Sequence, residues 1–223
     1  MEMSQKIIKP AMLCGILGCL CFGAGDWLMM YGDTTCHGSL TWLTEGVAQI
    51  PAWRNSLAML LAFPGILFYG VALFSVTVLI RSPKGKTRYQ ALTTLGLSPW
   101  LCIHILYVML LFAFAWMNQN DFIEAALPAS EALFSQYVPV VVVGEILMVL
   151  PFLYWFWLVA TNKTALPRSA AISKPLTIYL LLKLLTSLMP DTPFRLGFTT
   201  GLMSESMVIW FLILLILQKK ISI

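Results

Sequence analysis

Five ionisable side chains stand within long apolar stretches of this chain: Asp26, His104, Glu145, Lys183 and Glu205. Their types are those of proton chemistry. An imidazole beside a carboxylate can take up and release a proton near neutral pH. Acids, histidines and lysines set on several membrane helices are also the material of proton relays and substrate sites. His104, Glu145 and Glu205 are the candidates for acid–base catalysis. All five are candidates for substrate binding or proton relay. Five unpaired charges at span centres would cost on the order of 10–15 kcal/mol, at roughly 2.5–3.5 kcal/mol each. That matches the whole stability of a typical domain, about 5–15 kcal/mol. These groups must be paired, neutralised or wetted.

Other chemistries find less support. The two histidines are His104 and His37, and His37 falls in an outer loop; no H-E-x-x-H pattern occurs, so no metal site is expected. No G-x-x-x-x-G-K loop is present and no cofactor motif stands out. Gly96-Leu97-Ser98-Pro99 is the nearest approach to a G-x-S-G serine-protease motif, and the proline spoils it. The five cysteines, Cys14, Cys19, Cys21, Cys36 and Cys102, show no paired spacing for a disulfide framework or a zinc knuckle.

The elements that carry these groups are membrane spans. Hydrophobic residues make up 59% of the 223 and charged residues 11%. Soluble domains average about 45–50% and about 25%, so the chain lacks the polar residues to cover a globule in water. A helix needs roughly 20 apolar residues to cross the hydrocarbon layer. Six stretches qualify, at 10–31, 55–80, 89–117, 138–160, 172–189 and 197–217. The fold class expected is all-α: a single polytopic bundle of six transmembrane helices with short amphipathic helices in the outer loops. One of those loop helices is expected at 121–127.

Charge sets the orientation. Lys6, Lys9, Arg81, Lys84, Lys86, Arg88, Lys163, Arg168, Lys174, Lys219 and Lys220 fall on one side; Arg54 and Arg195 fall on the other with most of the acids. Both termini are therefore expected in the cytoplasm, and a bacterial inner membrane suits so short-looped a chain. The basic clusters label topology and do not form a nucleic-acid footprint. The basic start, the apolar run to Phe22 and the small residues 23–25 also outline a signal peptide. Apolar character continues to Met30, however, and Gly15, Gly18 and Gly25 have helix-interface spacing, so a retained helix is expected. Trp27, Tyr31, Trp42, Trp53, Trp116 and Tyr137 are expected in an outer aromatic belt, and Tyr89, Tyr154, Trp155 and Trp157 in an inner one.

Depth brings the ionisable groups together. Counted from the nearest cytoplasmic basic residue, Asp26, His104, Glu145 and Glu205 rise roughly 21–27 Å, and Lys183 roughly 14 Å. Gly197, Gly201, Ser204 and Glu205 form one small and polar stripe, with Gly197 and Gly201 as a G-x-x-x-G pair. Pro64, Pro99 and Pro151 stand inside three spans and are expected to bend them. The expectation is an outward-open polar cavity lined by Asp26, His104, Glu145 and Glu205, with Lys183 at its floor. A buried ion pair of Lys183 with Glu145 or Glu205 stands beside it as a purely structural alternative. Gly25–Met29 resembles Gly144–Met148, but both acids fall at one depth, which argues against an inverted repeat.

The function read from the sequence is a multi-pass inner-membrane protein whose outward-facing cavity binds and translocates a small molecule or proton. An intramembrane acid–base enzyme acting on a lipid or isoprenoid is the alternative, and a non-catalytic assembly protein is a third. The partners expected are the lipid bilayer and a lipid or small-molecule ligand.

Overall fold

The computed structural model describes the backbone of residues 2–36 and 38–221 and the side chains of 7–36 and 38–217. His37 lies outside the described residues, as do the side chains of Lys6, Lys219 and Lys220. Among the described residues the chain is all-helical and no strand forms.

Glycines and alanines decide which helices touch. Helix α1 (Glu2–Met30) packs along helix α3 (Ala52–Ser75). A methyl group on Gly18 would come 2.8 Å from the Gly65 carbonyl oxygen and the Tyr69 nitrogen. One on Gly25 would come 3.3 Å from the Ala58 carbonyl oxygen. The glycine stripe of α1 therefore serves close backbone approach, as its spacing suggests. Between these helices lies a loop with a single helical turn, α2 (Glu45–Ala48), capped by the Thr44 hydroxyl. Arg54 closes the junction. Its Nη2 donates to the carbonyls of Trp27 (3.4 Å) and Tyr31 (2.9 Å) at the end of α1, where the Trp27 carbonyl also accepts the Tyr31 N–H.

Helix α4 (Pro83–Asn118) and helix α5 (Ile123–Ala160) form the second antiparallel pair. Both run unbroken through their internal prolines. At 36 and 38 residues they exceed any bilayer's apolar layer. At 1.5 Å per residue they are about 54 and 57 Å long, against a hydrocarbon core of about 30 Å. The segment 121–127, expected as a separate short helix, is instead a turn followed by the first residues of α5. Ala126, Ser130 and Phe134 are buried at intervals of four, so one face of this extension packs on the loop and the helix continues down from it. Gln119 secures the turn by donating to the carbonyls of Ala48 and Ile50, each at 2.9 Å.

The remaining chain departs most from the expected spans. Helix α6 (Pro175–Ser187) has 13 residues, about 20 Å, and falls short of a full crossing. The apolar stretch 197–217 divides into α7 (Pro193–Thr200) and α8 (Leu202–Ile221), which meet at a 64° bend at Gly201. Among the described residues, four helices are long and apolar enough to cross a membrane, or five if α7 and α8 count as one broken span. The outward surface of the bundle is apolar: Leu60, Leu67, Leu180, Leu184 and Ile216 are among the exposed side chains. So large an exposed apolar face suits lipid as its solvent, and the chain is compatible with an integral membrane protein.

The core has two parts. One, at the end where the connections 80–82 and 161–174 meet, is built on aromatic rings from Phe22, Tyr69, Tyr89, Trp100, Phe152, Trp155, Trp210 and Phe211. Tyr89 and Trp155, expected in an interfacial belt, are fully buried there, with ring centres 5.8 Å apart. Trp157 does stay at the surface, under the Lys163 ammonium at 3.6 Å. The second cluster lies at the opposite end and joins the loop residues Leu43, Val47 and Ile50 to Val108, Leu111 and Phe134.

Candidate functional site

The two core clusters leave a chamber of about 390 Å³ between α1, α4, α5 and the α7–α8 bend. Asp26, His104 and Glu145 line it, as their shared depth implies, together with Tyr107, Thr199, Thr200 and Ser204. Asp26 and His104 face each other. Nδ1 of the imidazole stands 3.6 Å from Oδ1 of the carboxylate, and both side chains are largely buried. This separation is longer than a direct hydrogen bond and short enough for strong charge coupling in a poorly solvated site. Phe22 fixes the imidazole plane by an edge contact, 5.1 Å between ring centres. Its other nitrogen, Nε2, is buried and faces the Ala58 backbone at the seam where Gly25 meets α3.

Glu145 is the exposed acid of the set and stands on the wall shared with a second cavity. That cavity, about 470 Å³, runs between α4 and α5. Gly96 and Gly144 cause it. Gly96 lets α4 approach the Leu147 carbonyl, and Gly144 admits the Ile103 side chain, so the helices touch at that level. Beyond it they part, and Leu106, Leu110, Val138, Val141 and Val142 line the gap. Trp42 covers the junction of the two cavities from the loop, resting on Phe134 at 5.8 Å. Its indole nitrogen is buried with no acceptor.

Glu205, expected on the chamber wall, is not among the side chains that line it. The Trp27 indole N–H donates to its Oε1 at 3.3 Å, and Oε2 is buried without a partner. The G-x-x-x-G pair of Gly197 and Gly201 is the seat of this Trp27 ring. A methyl group on Gly197 would meet the indole at 2.9 Å, and one on Gly201 would meet the Glu205 carboxyl at 3.0 Å. The pair thus admits a side chain where a second helix was expected. Trp27 is turned inward, stacked on Tyr31 and packed against Phe194, and does not anchor the surface.

Lys183 is not at the floor of the chamber. It lines a third cavity of about 410 Å³ with Asp191, Arg195, Thr186 and Thr199. Among the described residues it makes no ion pair with Glu145 or Glu205. The carboxylate in its own cavity, Asp191, is bound to Arg195 at 2.9 Å. The floor is aromatic instead: Phe22 and Trp100 line the chamber from below and pack on Tyr69. Among the described residues, no three His, Cys, Asp or Glu side chains converge as a metal site would require.

The same stretch of sequence that builds these cavities is matched as a whole by one family model. Residues 3–220 match the model of DUF6796, described as a family of unknown function. The chain belongs to DUF6796. No curated protein and no solved structure matches it. An imidazole and a carboxylate held together on the wall of such a chamber can bind a polar group and exchange a proton with it.

Proposed function

We propose that this chain is a six-span protein of a bacterial inner membrane, with both termini in the cytoplasm, whose outward-facing chamber binds a small molecule and exchanges a proton with it. The observation that carries this reading is the His104–Asp26 pair, 3.6 Å apart on the wall of the chamber. The charge asymmetry of the loops supports the orientation, which puts the chamber in the outer half of the bilayer. Helix α6 counts as the sixth span if its flanking residues complete the crossing.

In this reading His104 is the group that takes and returns the proton. Asp26 offsets the positive charge the ring gains, and Ser204 and Tyr107 orient the bound molecule beside them. Glu145, more exposed, passes protons between the chamber and its mouth. The closed aromatic floor favours binding or acid–base catalysis from one side. One observation favours translocation as a second reading. The α7–α8 break stands beside the chamber, tied across to α1 by the Trp27–Glu205 bond. Broken helices at a central site are a device of transporters.

Labelling with a membrane-impermeant maleimide tests both parts. Cys36 is exposed in the α1–α2 loop and reports the orientation. Thr200→Cys in a cysteine-free background reports the chamber, and Thr93→Cys reports the packed floor region. Reagent applied to intact cells is expected to label Cys36 and the position-200 variant and to spare the position-93 variant. Labelling of Cys36 only in inverted vesicles would overturn the orientation. Protection of position 200 while Cys36 reacts would overturn the open chamber.

A further inference from the structure

The three cavities adjoin one another and differ in their chemistry. The chamber shares Trp42, Ile103, Tyr107 and Glu145 with the α4–α5 cleft, and it shares Thr41, Leu196 and Thr199 with the Lys183 cavity. The cleft is walled mostly by aliphatic side chains. Two of them, Val138 and Val142, are 54% and 47% exposed, so the cleft opens sideways onto the surface that faces lipid. At the other extreme, Lys183 and Arg195 bring two cations into the third cavity against one acid, Asp191. Arg195 already holds Asp191, and its Nη1 donates to the Met189 carbonyl at 3.4 Å. Among the described residues Lys183 makes no ion pair; it is exposed, its ammonium stands 6.0 Å from the Tyr179 ring centre, and the neighbouring Leu181, Leu182, Leu184 and Leu185 are all apolar. An ammonium so placed is stabilised by an anion that arrives with a ligand. Thr186 and Ser187, one turn on, also line this wall; their hydroxyls donate to the Lys183 and Leu184 carbonyls, at 2.8 and 2.7 Å.

We infer that the ligand of the chamber is a single-chain anionic amphiphile. Its hydrocarbon chain lies in the α4–α5 cleft, its first polar groups pass Trp42 and the His104–Asp26 pair, and its oxyanion head reaches Lys183. This inference rests on the reading of the chamber as a binding site. Three features of the path fit it. A chain enters from the bilayer through the lateral opening without crossing water. The unpartnered indole N–H of Trp42 stands where the chain gives way to polar groups, and there it can donate to an ester or alcohol oxygen. The head meets the Lys183 ammonium, with the Arg195 guanidinium on the same cavity wall, charges that suit phosphate or carboxylate oxygens. A neutral lipid would leave Lys183 without an anion, and free phosphate would leave the cleft without use.

The test uses the full chain purified in detergent and three probes of stated chemistry. These are a lysophosphatidic acid, the monoacylglycerol with the same acyl chain, and inorganic phosphate. Binding is read from tryptophan fluorescence and from the shift in Tm. The lysophosphatidic acid is expected to bind at least tenfold more tightly than the monoacylglycerol. Lys183→Gln is expected to abolish that difference, and Lys183→Arg to keep it. Val142→Trp is expected to weaken both amphiphiles by tenfold or more. Inorganic phosphate that binds as tightly as the amphiphile would overturn the inference, since the head alone would then be the ligand. Equal affinity for the two amphiphiles, or an unchanged preference in Lys183→Gln, would overturn the anionic head while the chamber remains a binding site. The maleimide experiment judges the chamber separately, so the two readings fail by different results.

Discussion

The two ends of this bundle are made from the same kinds of helices and differ in what stands between them. At the end bearing the basic loops, eight aromatic side chains fill the space, and Trp155, Trp210, Tyr89 and Phe211 are almost wholly removed from the surroundings. At the opposite end the helices part, a loop lies between them, and polar side chains face voids. The transition falls at one level. Phe22 and Trp100 belong to the packed cluster and also line the chamber, while His104, one helical turn beyond Trp100, faces Asp26. A bundle in lipid gains little from helix association through the hydrophobic effect, so dense packing must hold it. The filled end supplies that hold, and it permits the other end to stay open.

The contrast can be broken most strongly at its filled end. Trp210→Ala leaves a large void among Phe152, Trp155 and Phe211. A loss of about 3–5 kcal/mol is expected, seen as a large drop in Tm in detergent.

The glycines give a finer comparison. Gly18→Ala forces a methyl group against the backbone of α3, and a loss of about 1–3 kcal/mol is expected from such overpacking. Gly23, on the same helix, meets only the Ser204 side chain at 3.6 Å. Gly23→Ala is expected to change stability by less than about 0.5 kcal/mol, the range of substitutions that break no special contact. Equal losses from the two glycines, in paired thermal melts, would deny that the filled and open sides differ.

At the bend, Trp27→Phe keeps the ring and removes the donor to Glu205. The expected cost is about 1–2 kcal/mol, from an acceptor left buried without its partner. Urea unfolding in mild detergent measures it. At the open end, Asp26→Asn is expected to leave Tm unchanged or raise it slightly, because it removes a buried charge. The same variant is expected to lose amphiphile binding by tenfold or more. A fall in Tm with binding intact would make Asp26 a structural residue.

Much of this arrangement was legible in the sequence, and the misses have physical causes. Distance along a helix converts directly to depth, so Asp26, His104 and Glu145 could be placed at one level by counting. Counting fails for Lys183, which lines a cavity with Arg195 and the loop residues Thr34, Cys36 and Thr41 instead of the chamber floor; α6 is too short for a full crossing, so its first residue does not mark the opposite face. Hydropathy runs smoothly through 197–217, and nothing in it marks the bend at Gly201. The G-x-x-x-G spacing is the same whether a helix or an indole is the partner, so the seat for Trp27 was read as a helix contact. Trp42 looks like any interfacial tryptophan until the cavities on either side of it are seen. The shortness of α6 was visible, since proline and lysine bound it at Lys174 and Pro175 and a proline follows at Pro190.

The central claim is that the open end is a binding site and the filled end is its support. A density map of the protein in nanodiscs of native lipids tests this most directly. The account predicts elongated density that enters between Val138 and Val142, passes Trp42 and His104, and ends beside Lys183. A map in which Trp42 and Tyr107 have collapsed onto Phe22, with the α4–α5 cleft closed and the chamber filled by protein side chains, would contradict it.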